Sequence, residues 1–130
     1  MGLDNGICIK RDTVSTKAQL AFDQEWTLAY GYDLGVAYWR KCWNIRNIVF
    51  DICNIEEFND SCTILSIEQI KEIIKELKSM NKYNYCDRGD CIWDWEDFKR
   101  NNKKNIAALK QLIKFMKETP TMEVYFYDSW

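Results

Sequence analysis

Both ends of this chain are written as strands, and most of what lies between them is written as helices. Met122-Glu123-Val124-Tyr125-Phe126-Tyr127 alternates and is rich in aromatic side chains, which suits a pleated, half-buried strand. Ile7-Cys8-Ile9-Lys10 ends a shorter alternating stretch over 2–10, with Leu3 and Ile7 expected on its buried side. Asp4-Asn5-Gly6 inside that stretch predicts a bend or bulge, since glycine accepts backbone angles that other residues resist. A chain of this kind has to bring its two ends into one sheet. The expected fold is α+β, a single domain. Its small antiparallel sheet comes from the N- and C-terminal strands, paired directly or joined with a third short strand, and three to four helices pack on it.

The helices announce themselves by caps and spacing. Thr16 with Gln19 resembles a capping box, and Phe22, Trp26 and Ala29 follow at helical intervals, so a helix is expected over 17–29. Gly31-Tyr32-Asp33 is a break, with Asp33 placed to cap a main helix over 34–54. There Tyr38, Cys42, Ile45, Val49 and Ile52 step by fours and threes, the pattern of a core stripe. Ser66 with Gln69 forms a clearer capping box before a helix over 67–81 that would bury Ile67, Ile70, Ile73, Ile74 and Leu77. Asn81 to Asp94 reads as a loop. Asp94 is placed to cap a last helix over 95–118, with Trp95, Phe98, Leu109, Leu112, Ile113 and Met116 inward and Pro120 beyond its end. Between Lys99 and Lys117 stand seven cations and no acid, most simply a solvated face.

Composition removes several functions. The net charge is −2 and the pI about 5.2, whereas a domain that wraps duplex phosphate is usually basic, so no duplex nucleic acid is expected as partner. No window approaches the roughly 18 apolar residues of a membrane span, and no basic, apolar leader opens the chain. The expectation is a cytoplasmic protein with no membrane partner and with its six cysteines reduced.

Histidine is absent, which removes every Ser-His, Cys-His and His-metal arrangement. Cys42, beside Arg40, Lys41 and Arg46, is the one cysteine with cations to activate it, and its place on the core stripe reads as a packed thiol. Asp87, Asp90, Asp94, Glu96 and Asp97 offer paired carboxylates for Mg²⁺ or Ca²⁺, but Gly89 falls too early for an EF-hand. Cys86 and Cys91 make a lone C-x₄-C, and Cys53 with Cys62 is a poor second pair for zinc. No catalytic residue, metal or cofactor is therefore assigned.

What remains is a concentration of stacking and hydrogen-bonding groups in the stretch 37–47. Trp39, Arg40, Trp43, Asn44, Arg46 and Asn47 lie there, with Trp93, Trp95, Tyr125 and Tyr127 as candidate neighbours. A base stacked on an aromatic ring gains about 1–3 kcal/mol. Arginine forks hold phosphate through paired hydrogen bonds, and asparagine reads a base edge or ribose. The plain alternative puts the tryptophans in the core and pairs the arginines with Asp51, Glu56 or the acidic loop.

Four blocks together resemble a group of short, uncharacterised proteins encoded by phages and prophages of low-GC Gram-positive bacteria. They are the opening Met1-Gly2-Leu3-Asp4-Asn5-Gly6-Ile7, the Tyr38-Trp39-Arg40-Lys41-Cys42-Trp43-Asn44-Ile45-Arg46-Asn47 block, Ile92-Trp93-Asp94-Trp95-Glu96 and the ending Val124-Tyr125-Phe126-Tyr127-Asp128. The resemblance implies a phage origin, where small proteins without catalytic signatures often counter host defence. The expectation is a binding protein that sequesters a nucleotide-derived immune signal, of the cyclic nucleotide or cyclic ADP-ribose type, without catalysis. A homodimer or higher homo-oligomer would suit exposed tryptophans. Two other classes stay open: a protein inhibitor of a host defence nuclease or effector, and a metal-dependent phosphodiesterase-like enzyme using the 87–97 acids.

Overall fold

Strand β1 (Asp4–Ile9) lies at the middle of the molecule, with β2 (Leu34–Arg40) antiparallel on one side and β4 (Val124–Ser129) antiparallel on the other. A two-residue strand β3 (Thr63–Ile64) pairs with the far edge of β4, giving the order β2-β1-β4-β3. The two ends of the chain thus pair as expected, and the fold is α+β in a single domain. The computed structural model describes residues 4–22, 33–55, 63–86 and 93–129. Leu3, Trp26, Ala29, Glu56, Cys62, Asp87, Asp90 and Cys91, invoked above, lie outside them. Among the described residues no helix is long and apolar enough to cross a membrane.

The helix expected over 34–54 is instead a strand followed by a shorter helix. Residues 34–40 form β2, and α2 runs only over Trp43–Cys53. The hydrophobic stripe is real from Cys42 onward, with Cys42, Ile45 and Val49 buried, but Tyr38 reaches it by coincidence of spacing. Gly35 costs a helix about 1 kcal/mol, and Val36, Tyr38 and Trp39 favour a pleated surface. Lys41 adopts a left-handed conformation (φ 55°) at the reversal between the two elements, a backbone cost no local propensity predicts.

The expected bulge also moves. The β1–β2 register slips between Ile7 and Cys8, which pair with Ala37 and Gly35, so Val36 is the extra residue and it lies on β2. This slip lets Val36 and its neighbour Ala37 both enter the core, which is why β2 is buried almost without alternation.

The remaining helices follow their caps. Helix α1 (Thr16–Phe22) starts one residue beyond Ser15, whose hydroxyl accepts from the Ala18 N–H, so Ser15 and not Thr16 is the cap. Helix α3 (Ile67–Ser79) carries the full Ser66/Gln69 capping box. Helix α4 (Trp95–Glu118) opens on Asp94, whose carboxylate accepts from the Asp97 N–H at 2.8 Å. Helix residues Phe22, Ile45, Ile70, Ile73, Leu77, Phe98, Leu109 and Leu112 meet Ile7, Ile9, Trp39, Val124 and Phe126 of the sheet in one core. Cys8, Tyr125 and Tyr127 form a second, smaller buried cluster on the opposite sheet face.

Strand β2 is an edge strand, and α4 protects part of it with side chains. Asn105 donates its Nδ2 to the Tyr38 carbonyl at 3.0 Å while its Oδ1 accepts from the Tyr38 N–H at 3.4 Å. Asn101 donates to the same carbonyl at 3.0 Å. One amide thus stands in for the missing neighbouring strand, satisfying groups that would otherwise invite another chain.

Candidate functional site

The residues singled out in the sequence do not converge. Trp39 has no exposed surface at all and sits in the core beneath the helices. Its cross-strand partner Asn5 is equally buried and donates to Asp128 Oδ1 at 2.6 Å. Arg46, from α2, reaches the other oxygen of Asp128 at 2.9 Å, with side-chain exposures of 11% and 2% for the pair. The guanidinium also lies 4.3 Å from the Phe50 ring centroid and 5.6 Å from that of Trp43. The Asp128 carboxylate is shared between an amide and a guanidinium and, being buried, needs that cation, while Asn5 Oδ1 and the Trp39 indole N–H are buried without a hydrogen-bond partner among the described residues. The arginine does pair with a carboxylate, that of Asp128, which the sequence reading did not name, while Glu56, Asp87 and Asp90 lie outside the described residues.

Around this closed centre the other predicted residues scatter. Asn44 donates to the Asn84 carbonyl at 2.6 Å and ties α2 to the turn after α3. Asn47 is exposed, and Trp43 is half-buried at the start of α2. Arg40 lies at the end of β2, in register with Asp4. Tyr125 and Tyr127 occupy the opposite sheet face, where the Tyr125 hydroxyl donates to Asp33 at 2.7 Å. Asp33 is therefore a tether between β2 and β4, not the helix cap expected of it. The three openings lined by described residues, of about 280 to 400 Å³, include neither Trp39 nor Arg46.

An opening does exist elsewhere, and it includes one of the predicted residues. Between the end of α3 and the first half of α4 lies a groove of about 310 Å³, floored by Leu77, Met80, Trp95 and Ile106. Trp95 is stacked near Phe98, with centroids 6.2 Å apart and planes within 22°, and Tyr85 sits 5.4 Å from it. Trp93 packs behind, 6.4 Å from Phe98, and its carbonyl accepts from the Tyr85 hydroxyl at 3.2 Å. The indole is thus held by an aromatic stack while part of it faces the groove.

The rim is cationic. Lys78 overlooks the groove from α3, and Lys99 and Lys103 overlook it from α4. Lys99 is paired with Glu96 at 3.1 Å, whereas Lys78 and Lys103 have no ion-pair partner among the described residues. Lys110, two turns beyond Lys103, lies within hydrogen-bonding reach of Lys78. That contact, with the adjacent positive charge and some loss of solvation, holds its ammonium below the usual lysine range. Asn102, also lining the groove, donates to the Leu77 carbonyl at 2.9 Å and leaves its buried Oδ1 unpartnered.

Nothing known matches the chain: no family model, no curated protein and no solved structure.

Of the groove residues, only Trp95 stands among the site residues read from the sequence. Lys99 and Lys103 were legible as part of a cation-rich helix, and the absence of acids there was the available signal. Lys78 and Asn102 carry no such signal, because it takes the docking of α3 on α4 to bring them together.

Asp94 caps α4, while Glu96 and Asp97 pair with Lys99 and Arg100, the latter at 2.9 Å. Among the described residues no three His, Cys, Asp or Glu side chains are grouped to hold a metal ion. Cys42 is 1% exposed and its thiol donates to the Arg40 carbonyl at 3.3 Å, and burial pushes the Cys53 thiol above its ordinary range.

Proposed function

We propose that this protein is a non-catalytic binder that sequesters a nucleotide-derived small molecule in the groove between α3 and α4. The observation carrying this reading is the pairing of a fixed indole with unpaired ammonium groups around an apolar floor. Such a groove matches a ligand with a flat ring at one end and negative charge at the other. The ring gains by stacking on Trp95, and the charge gains from Lys78 and Lys103, which have no carboxylate partner among the described residues. A concave, mostly apolar site with a few placed polar groups is the usual form of a small-molecule pocket. The phage resemblance of four sequence blocks supplies the setting, in which capture of an immune signal protects an infecting phage.

Calorimetric titration with cyclic mono- and dinucleotides and with cyclic ADP-ribose isomers tests the reading. Binding tighter than about 100 μM, a free energy near −5.5 kcal/mol, is expected for at least one. It should be weakened at least tenfold by Trp95→Ala. Absence of binding across the panel overturns the proposal.

A second reading rests on a different surface. The groove between α2 and α3 is about 280 Å³, lined by Ile48, Ile52, Asp51, Glu72 and Glu76. These acids have no ion-pair partner among the described residues, and an apolar floor with an acidic rim fits the basic surface of a host nuclease or effector. A stoichiometric nuclease recovered on the wild-type protein, and lost with Glu72→Lys and Glu76→Lys, would favour inhibition over capture.

A further inference from the structure

The α3/α4 groove is lined by three lysines, Lys78, Lys99 and Lys103. Lys99, Lys103, Ile106 and Lys110 recur at helical spacing along α4, so they share the face turned toward α3. Lys78 meets them from the opposite helix, near enough for its charge to hold the Lys110 ammonium below the usual lysine range. Like charges held this close repel each other, and among the described residues no carboxylate lines the groove to offset them. Asp97 and Glu96, the acids nearest this row in sequence, are already engaged by Arg100 and Lys99. The cationic groups are lysines throughout. A lysine ammonium is a compact point charge that can converge on an anion from several directions, whereas an arginine fork matches a planar pair of oxygens. The apolar floor and the Trp95 ring lie alongside this charge.

We propose that the groove selects nucleotides whose negative charge is doubled at one point, a terminal phosphomonoester or a pyrophosphate, over those with isolated phosphodiesters. This rests on the reading of the groove as the ligand site and narrows its ligand class. A phosphomonoester carries close to two charges at neutral pH, with three acceptor oxygens. It can sit between Lys78 and Lys103, which both line the groove, and neutralise two ammonium groups at once. A phosphodiester carries one charge, flanked on both sides by ester carbons, and a cyclic dinucleotide sets its two charges apart.

The experiment compares AMP, ADP and cyclic ADP-ribose with cyclic AMP and cyclic di-AMP by calorimetry on the full chain. Circular dichroism and thermal melts run in parallel on the wild type and a Lys78→Glu/Lys103→Glu variant. The expected result is at least tenfold tighter binding of the first set, with that preference abolished in a variant that melts like the wild type. A Lys78→Gln/Lys103→Gln pair gives the same comparison should the charge reversal fail to fold. Equal affinity for both sets, or a preference the lysine variants do not touch, overturns this inference while leaving ligand capture standing. Binding of no compound in either set overturns both.

Discussion

Two regions of this molecule hold the same kinds of side chain and use them in opposite ways. At the junction of α2 with the sheet, Asn5 and Arg46 each take one oxygen of Asp128, while Asn5 Oδ1 and the Trp39 indole N–H are buried without a hydrogen-bond partner among the described residues. At the groove between α3 and α4, Trp95, Lys78, Lys103 and Asn102 surround an opening, and the cations have no carboxylate among the described residues to answer them. The difference lies in one residue. Asp128, at the end of β4, is placed by strand register opposite Asn5 and under α2. A tryptophan beside a cation is therefore no sign of a site until the nearest acid is located.

The comparison breaks most readily at Arg46. Arg46→Ala leaves Asp128 buried without its cation and should cost about 3–5 kcal/mol in urea unfolding. The double change Arg46→Met with Asp128→Leu should recover much of that loss, because an apolar pair needs no counter-charge. A single variant as stable as the wild type would mean the buried centre is not closed in the way described.

Smaller losses are expected where single amides and hydroxyls act. Asn105→Ala removes both hydrogen bonds from the Tyr38 peptide and should cost about 1–3 kcal/mol, with aggregation of the uncovered β2 edge visible by light scattering. Ser66→Ala removes the α3 cap and should cost about 1 kcal/mol, read as a shift in the denaturation midpoint at unchanged slope.

The groove sharpens the contrast from the other side. Lys103→Glu should leave stability within about 0.5 kcal/mol of the wild type while weakening nucleotide binding at least tenfold. A large stability loss there would mean that Lys103 is structural after all, and the distinction between the two regions would collapse.

Much of the frame could be read directly along the chain. Ser66 and Asp94 announced the starts of α3 and α4 because capping is a local act between residues three apart. The two terminal strands announced themselves by alternation, and their pairing followed from there being no other long strand in the expected set. The stretch 34–54 misled because apolar residues at helical spacing cannot say where a helix begins. Tyr38 and Cys42 are four apart whether or not the backbone turns between them, and Lys41 does turn it.

The sequence by itself determined the secondary elements that rest on neighbours: the caps, the α3 and α4 stripes, the terminal strands and hence the α+β class. Only the tertiary structure decided which aromatic rings are sealed and which face an opening. That choice is made by contacts between residues far apart in the chain, such as Arg46 with Asp128, Asn105 with Tyr38 and Lys78 with Lys110. Whether a cation is satisfied depends on distance in space, and no pattern of spacing along the chain records it.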